Sequence, residues 1–90
     1  MKIKEGFILR KIANADMVIP IGKNIADFNG VISLNETAAF LWSKLKDEIE
    51  LNNLVEELRK EYEISRELAQ KDVEQFISEL MQANMLEQYA

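Results

Sequence analysis

Residues 27–42 read DFNGVISLNETAAFLW, and they decide the fold because a strand pattern changes to a helix pattern without a loop between them. The β-branched run GVISL, at residues 30–34, predicts a strand. Asn35 follows it at an N-cap position, where its side chain can accept the free backbone N–H of Ala38. An apolar stripe then repeats at helical spacing and comprises Ala38, Leu41, Trp42 and Leu45. We therefore expect a strand that passes directly into a helix at Asn35.

The flanking sequence extends this pattern in both directions. Two further strands are predicted at residues 7–12 and 17–21, with a tight connection at residues 14–16. Two further helices are predicted at residues 51–62 and from Ser65 to about Asn84, with Asn84 left-handed and Met85 and Leu86 folding back. Pro20 lacks a backbone N–H, which predicts an edge or a bulge near the end of the second strand. Strands followed by helices predict an α+β fold: a small winged-helix-like domain over residues 1–90, with a three-stranded antiparallel sheet followed by three helices.

The composition limits the chemistry available to the chain. It contains no cysteine and no histidine, which excludes disulfides, zinc fingers and histidine-based catalytic triads. The three glycines match no nucleotide-binding loop, and the glutamates at 56, 57, 61 and 63 have the pattern of a solvated helix face. We therefore expect no catalytic residue, no metal ligand, no cofactor and no enzymatic activity.

The charge balance disfavours two kinds of partner. The 16 acidic residues outnumber the 11 basic ones and give a net charge of −5, whereas nucleic-acid binders depend on a basic face. Anionic membranes are disfavoured for the same reason, and the sequence shows neither a secretory signal nor a membrane-spanning run. We expect a cytoplasmic protein that binds neither nucleic acid nor membrane and is either a monomer or a domain-swapped dimer.

The third predicted strand lacks the features that protect sheet edges. Charged residues and proline usually prevent an edge strand from pairing with another chain. The first strand carries Arg10 and Lys11 and the second carries Pro20, but GVISL carries no charge and no proline. Its edge is therefore either covered by the protein's own loops or open to a guest strand.

The third predicted helix has an apolar arc about 160° wide, whereas a helix packed on one core needs a stripe of about 100°. Two interpretations remain open. The helix packs against both the sheet and the other helices, or one flank near Phe76, bordered by Asp72 and Glu79, lines an open groove.

The segments DFNG–LNETAAFLW, LVEELRKEYEIS and DVEQFISELMQANMLE together resemble the PqqD-like family. Its members are RiPP recognition elements, which bind the leaders of ribosomally made, post-translationally modified peptides. The resemblance covers about residues 5–88. It implies a winged-helix-like peptide chaperone of natural product biosynthesis that takes the leader peptide as an added antiparallel strand, in a cleft between its third strand and last helix. It also implies a modifying enzyme as partner, commonly a radical SAM maturase.

The resemblance further implies which residues bind the peptide. The pairing edge would be the backbone of Gly30, Val31, Ile32 and Ser33. Asp72 and Phe76 match the D and F of the DVEQF motif and would contact leader side chains. Glu79 is added because it lies on the same side of the helix. The alternative function is that of a winged-helix nucleic-acid-binding regulator.

Overall fold

A computed structural model describes residues 1–22 and 32–87. Its strands are β1 (Lys2–Ile3), β2 (Phe7–Ile12), β3 (Ala15–Pro20), β4 (Ile32–Leu34) and β5 (Leu86–Glu87), and its helices are α1 (Glu36–Lys44), α2 (Leu51–Tyr62) and α3 (Arg66–Gln82). Strands β2, β3 and β4 form an antiparallel sheet in that order, and the three helices follow it. The predicted α+β, winged-helix-like architecture is confirmed.

The β2–β3 hairpin turns earlier than the sequence pattern predicted. Its two-residue turn consists of Ala13 and Asn14, which have φ angles of 51° and 69°. Two positive φ angles are the mark of a type I′ turn, whose twist matches that of the paired strands. The prediction of a connection at residues 14–16 was wrong, because Ala15 and Asp16 already pair with β2.

Pro20 does not mark an edge strand. Strand β3 lies in the middle of the sheet, between β2 and β4. Pro20 is its last residue, opposite Phe7, and the next backbone N–H, of Ile21, donates to the carbonyl of Gly6 at 2.8 Å. Pro20 lies beyond the last described pair of β3 with β4, which is Val18 opposite Ile32, so its missing N–H interrupts no described β3–β4 pair.

The joint between β4 and α1 has the predicted geometry. Asn35 has extended backbone angles, φ −76° and ψ 176°, and its Oδ1 accepts the backbone N–H of Ala38 at 2.8 Å. Helix α1 begins at the next residue, Glu36, whose carboxylate is favourable beside the positive end of the helix dipole. One residue thus ends the strand and caps the helix.

The core lies between the inner face of the sheet and the three helices. Trp42 is fully buried, and its ring meets that of Phe7 edge to face, with 6.4 Å between the ring centroids. Large apolar side chains from every helix and from the sheet are fully buried with it: Val18, Leu41, Leu45, Leu54, Val55, Leu58, Val73 and Met85. Trp42 is therefore a core anchor, and α1 cannot rotate without opening the core.

A second, two-stranded sheet joins the ends of the described chain, and the sequence pattern did not predict it. Strand β1 pairs antiparallel with β5, so that Ile3 lies opposite Leu86. The Lys4 N–H donates to the carbonyl of Met85 at 2.9 Å. Asn84 has the predicted left-handed conformation, with φ 59°, and reverses the chain after α3. Residue Met85 is thereby turned back into the core.

An exposed ion-pair cluster ties α2 to the start of α3. Glu56 accepts hydrogen bonds from Arg59 Nε and Nη2, both at 3.1 Å, and from Arg66 Nη1 at 2.9 Å. The hydrogen bond from Arg59, with the positive charges of Arg59 and Arg66, holds the pKa of Glu56 below its ordinary value of 4.5. Because the pKa is lowered in the folded protein, the ionised carboxylate stabilises the fold.

Replacing Asn35 by alanine should lower the free energy of unfolding by about 1 kcal/mol, because the Ala38 N–H loses its acceptor. Urea denaturation at neutral pH measures the change. Asn53→Ala, which removes an exposed amide inside α2, is the matched control and should leave stability unchanged or slightly higher. An Asn35→Ala protein as stable as this control would contradict the capping role.

Glu56→Gln should slightly lower the free energy of unfolding at neutral pH, and this loss should depend on pH. The contribution of Glu56 is present above the unfolded-state pKa and is lost as the pH falls through the lower pKa of the folded state. Urea denaturation at a series of pH values should therefore show a difference from the parent protein at neutral pH that disappears in acid. Asn52→Gln, at an exposed position of the same helix as Glu56, changes no titratable group; it is the control and should show no such convergence.

Candidate functional site

Strand β4 forms one edge of the three-stranded sheet. It pairs with β3 through Ile32, Ser33 and Leu34, and no strand of the described residues lies on its other side. The side chains of Ile32 and Ser33 are exposed. An edge of this kind presents backbone N–H and C=O groups that can pair with another extended segment.

Ile32 shows that the inner face of the sheet is uncovered at this edge. It lies directly opposite Val18, and opposite residues of neighbouring strands project from the same face. Val18 is 1% exposed, within the core, whereas Ile32 is 41% exposed. A large apolar side chain on the buried face of the sheet is therefore accessible to a ligand, because the helices do not reach over it.

A cleft lies beside β4 and separates it from α3; we call it the β4–α3 cleft. It consists of two adjoining spaces of about 180 and 220 Å³. Both spaces are lined by Asn35, Ala38, Phe76 and Glu79. The first space is completed by Ile32, Ser33, Leu34, Leu80, Ala83 and Met85, and the second by Thr37, Leu41, Asp72 and Gln75. The cleft therefore follows β4 along its length and continues past the start of α1.

Five of the seven binding residues predicted from the sequence line this cleft: Ile32, Ser33, Asp72, Phe76 and Glu79. Gly30 and Val31 lie outside the described residues. Phe76 is 7% exposed, so it forms part of the cleft wall and presents only a small part of its surface to a ligand. The second interpretation of α3 describes one flank of the helix: the flank with Asp72 and Glu79 borders the cleft, whereas Val73 is fully buried in the core.

Sequence reasoning missed two parts of the cleft wall. The small side chain of Ala38 leaves room at the centre, and Ala83 and Met85 close the end beside Ile32. Met85 reaches this position because Asn84 reverses the chain and β5 pairs with β1. Ala38, the small residue in the apolar stripe of the first predicted helix, was a signal in the sequence, since a small residue on a core face leaves space that another group can fill.

The site offers binding chemistry. No group of three or more Asp or Glu residues that could hold a metal ion is present in residues 1–22 and 32–87. Over the same residues, no polar or charged side chain is buried. What the cleft supplies is a strand edge that has no partner among the described residues, the exposed apolar side chain of Ile32, and the carboxylates of Asp72 and Glu79.

A second apolar depression, of about 430 Å³, lies on the opposite flank of α3. Met81, which is 49% exposed, lines it together with Leu51 and Ile77. It has no strand edge beside it, so it lacks the backbone groups that the β4–α3 cleft offers. For this reason we take the β4–α3 cleft as the candidate site and use Met81 as a control position.

The fold and the cleft define a small winged-helix-like α+β protein with an open sheet edge. None of the helices within the described ranges is long and apolar enough to cross a membrane. Residues 17–86 match the family of coenzyme PQQ synthesis protein D (PqqD), and the chain belongs to this family.

Two solved structures share its fold. The first is TbiB1 in complex with the TbiA(beta) leader peptide, which is 21% identical in sequence, has a TM-score of 0.76, and is matched over 100% of this chain and 99% of that one. The second is a lasso peptide synthetase B1 complexed with its leader peptide, at 20% identity and a TM-score of 0.72, over 93% of each chain. No curated protein sequence matches the chain significantly.

If the inner face of the sheet is open at β4, Ile32→Thr should change stability much less than Val18→Thr does. Both substitutions keep a β-branched residue and introduce one hydroxyl. At the buried Val18 this should lower the free energy of unfolding by about 1–3 kcal/mol, whereas at the exposed Ile32 the hydroxyl stays hydrated and the loss should be below about 1 kcal/mol. Urea denaturation of both variants measures the difference. Equal losses would mean that Ile32 is covered in solution.

Proposed function

We propose that the chain is a non-catalytic peptide chaperone. It binds the leader of a ribosomally made precursor peptide by strand addition to β4 and presents the precursor to a modifying enzyme. The observation that carries this function is the position of Ile32. An exposed apolar residue on the inner face of the sheet lies beside an edge without a strand partner among the described residues. One extended peptide can satisfy that edge and cover that residue at the same time.

Backbone pairing would supply sequence-independent affinity, and the cleft would supply selection. A peptide paired with β4 turns alternate side chains toward the sheet's inner face. Those side chains would enter the space between Ile32, Ala38 and Ala83. The other side chains would point to solvent, so only every second residue of the leader would be recognised.

The comparisons support this assignment. The chain belongs to the PqqD family, and both similar solved structures are of proteins in complex with a leader peptide. Strand addition at β4, with contacts to Ile32, Ser33, Asp72, Phe76 and Glu79, is our proposal for how this chain would hold such a peptide. Gly30 and Val31 belong to the same proposed edge.

The partner that uses the bound precursor would be a peptide-modifying enzyme, and membership of the PqqD family supports a radical SAM maturase. Holding the leader would raise the effective concentration of the precursor at that enzyme. The chain would contribute no reacting group. Because ribosomes make the precursor in the cytoplasm, the same function would place the chain in that compartment.

A winged-helix nucleic-acid-binding function has less support. Its phosphate contacts would need a basic face, but the net charge is −5 and the exposed flank of α3 carries Asp72 and Glu79. No observation on the described residues favours it.

A larger side chain in the cleft wall tests whether the cleft binds peptide. A displayed library of random dodecapeptides, selected on the full chain, supplies the probe, and fluorescence anisotropy of the best synthetic binder measures affinity. Ala38→Leu adds apolar atoms at a position that lines both spaces of the cleft and should weaken binding about tenfold or more. Met81→Ala, in the depression on the opposite flank, should leave affinity unchanged. Circular dichroism checks that both variants fold.

The same binder tests the strand geometry. Two versions of it, N-methylated at the odd or at the even amides, should behave differently, because a strand pairs with an edge through alternate N–H groups. One version should keep its affinity and the other should lose it. Equal loss or equal retention would contradict strand addition.

Binding of a duplex DNA that weakens steeply with salt, in place of peptide binding, would favour the nucleic-acid regulator.

A further inference from the structure

The β4–α3 cleft has two ends of different chemistry. At one end the exposed Ile32 supplies apolar surface, and the buried side chains of Leu80 and Met85 form the wall behind it. At the other end Asp72 and Gln75 line the space together with Thr37. Glu79 lies between the two ends and borders both. An extended ligand that spans the cleft therefore contacts carboxylates near one of its ends and apolar surface near the other.

The carboxylates of the cleft have no cationic partner within the described residues. The helix neighbours that can face Asp72, three and four positions away, are Leu68, Ala69, Gln75 and Phe76. Those that can face Glu79 are Gln75, Phe76, Gln82 and Ala83. The ion pairs of the described residues involve other carboxylates, those of Asp16, Glu48, Glu56 and Glu57. Asp72 is nevertheless only half-exposed, so a cation that reaches it would be partly shielded from water.

The directions of β4 and α3 set the order in which an occupant meets these groups. The start of β4, at Ile32, lies beside the end of α3, at Ala83, and the residues that follow β4 lie beside Asp72. The strand and the helix therefore run in opposite directions along the cleft. A peptide that pairs antiparallel with β4 consequently runs in the same direction as α3. Its N-terminal part lies at Asp72 and its C-terminal part at Ile32.

We propose that the leader bound by this chain carries a lysine or arginine followed, about four residues later, by a large apolar residue. The spacing follows from geometry: Asp72 and Ala83 are about 16 Å apart along a helix, or about five residues of an extended strand. Only alternate side chains of an extended strand point into the cleft, so the cationic and the apolar residue are separated by an even number of positions. The long side chain of the lysine or arginine covers the rest of the distance to the carboxylate. The cation pairs with Asp72 or Glu79, and the apolar residue covers Ile32. This specificity rests on the proposed function, because it describes the class of peptide that the same cleft would bind.

The dodecapeptide selection described above tests the order of the two residues. The selected peptides should share a cation upstream of an apolar residue. A synthetic peptide with these two residues exchanged has the same composition and should bind several-fold more weakly. Selected peptides that pass the N-methylation test but lack the cation, or carry the reverse order, would overturn this specificity and leave strand addition standing. A library that yields no binder would overturn the proposed function itself.

Charge-neutral variants test the role of the carboxylates. Asp72→Asn and Glu79→Gln should each weaken binding of the lysine-containing peptide about two- to fivefold, the range of a partly exposed ion pair. They should weaken binding of a peptide with glutamine in place of the lysine by a clearly smaller factor. Glu74→Gln lies on the opposite flank of α3 and should affect neither peptide. The difference between the two peptides should shrink as salt rises to about 0.5 M, because screening weakens exposed ion pairs. Equal effects on both peptides would show that the carboxylates do not pair with the lysine.

Discussion

The hydrogen bond from the Ala38 N–H to the Asn35 side chain is the constraint on which the cleft depends. It ends β4 and begins α1 at adjacent residues, so the strand has no loop with which to bend away. Four residues beyond Ala38, Trp42 is buried against Phe7 of the sheet. The helix is therefore held in place by a cap at its start and by a packed ring near its end. The end of β4 is therefore held next to the core through α1.

A preformed strand edge has a particular value for binding. Pairing with a preformed strand requires ordering of the guest alone, which lowers the entropic cost of association. The uncovered Ile32 adds apolar area that a guest strand would bury as it paired. In the proposed function, backbone groups and apolar surface supply affinity, and neither depends on cysteine or histidine, which the chain lacks.

The C-terminal reversal completes the site from the opposite direction. Asn84 ends α3 in a left-handed conformation, and pairing of β5 with β1 holds the reversed chain against the start of the protein. Met85 is buried by this arrangement and lines the apolar end of the cleft. Residues 2–3 thus help to shape a binding surface that lies far from them in sequence, and truncating them would affect the cleft as well as stability.

The amino-acid sequence alone predicted the helices, the cap at Asn35 and the α+β order of the elements. These features depend on hydrogen bonds and apolar repeats within a few residues of one another. It also marked the uncharged strand and the acidic flank of α3 as unusual surfaces. The turn at Ala13 and Asn14 was misplaced, because type I′ geometry is selected by the pairing of two strands and alanine gives no signal for a positive φ. Strands β1 and β5 could not be predicted, since two residues show no periodicity. The exposure of Ile32, on the inner face of the sheet, could not be predicted from the sequence, because exposure depends on how far α3 and Met85 reach across the sheet.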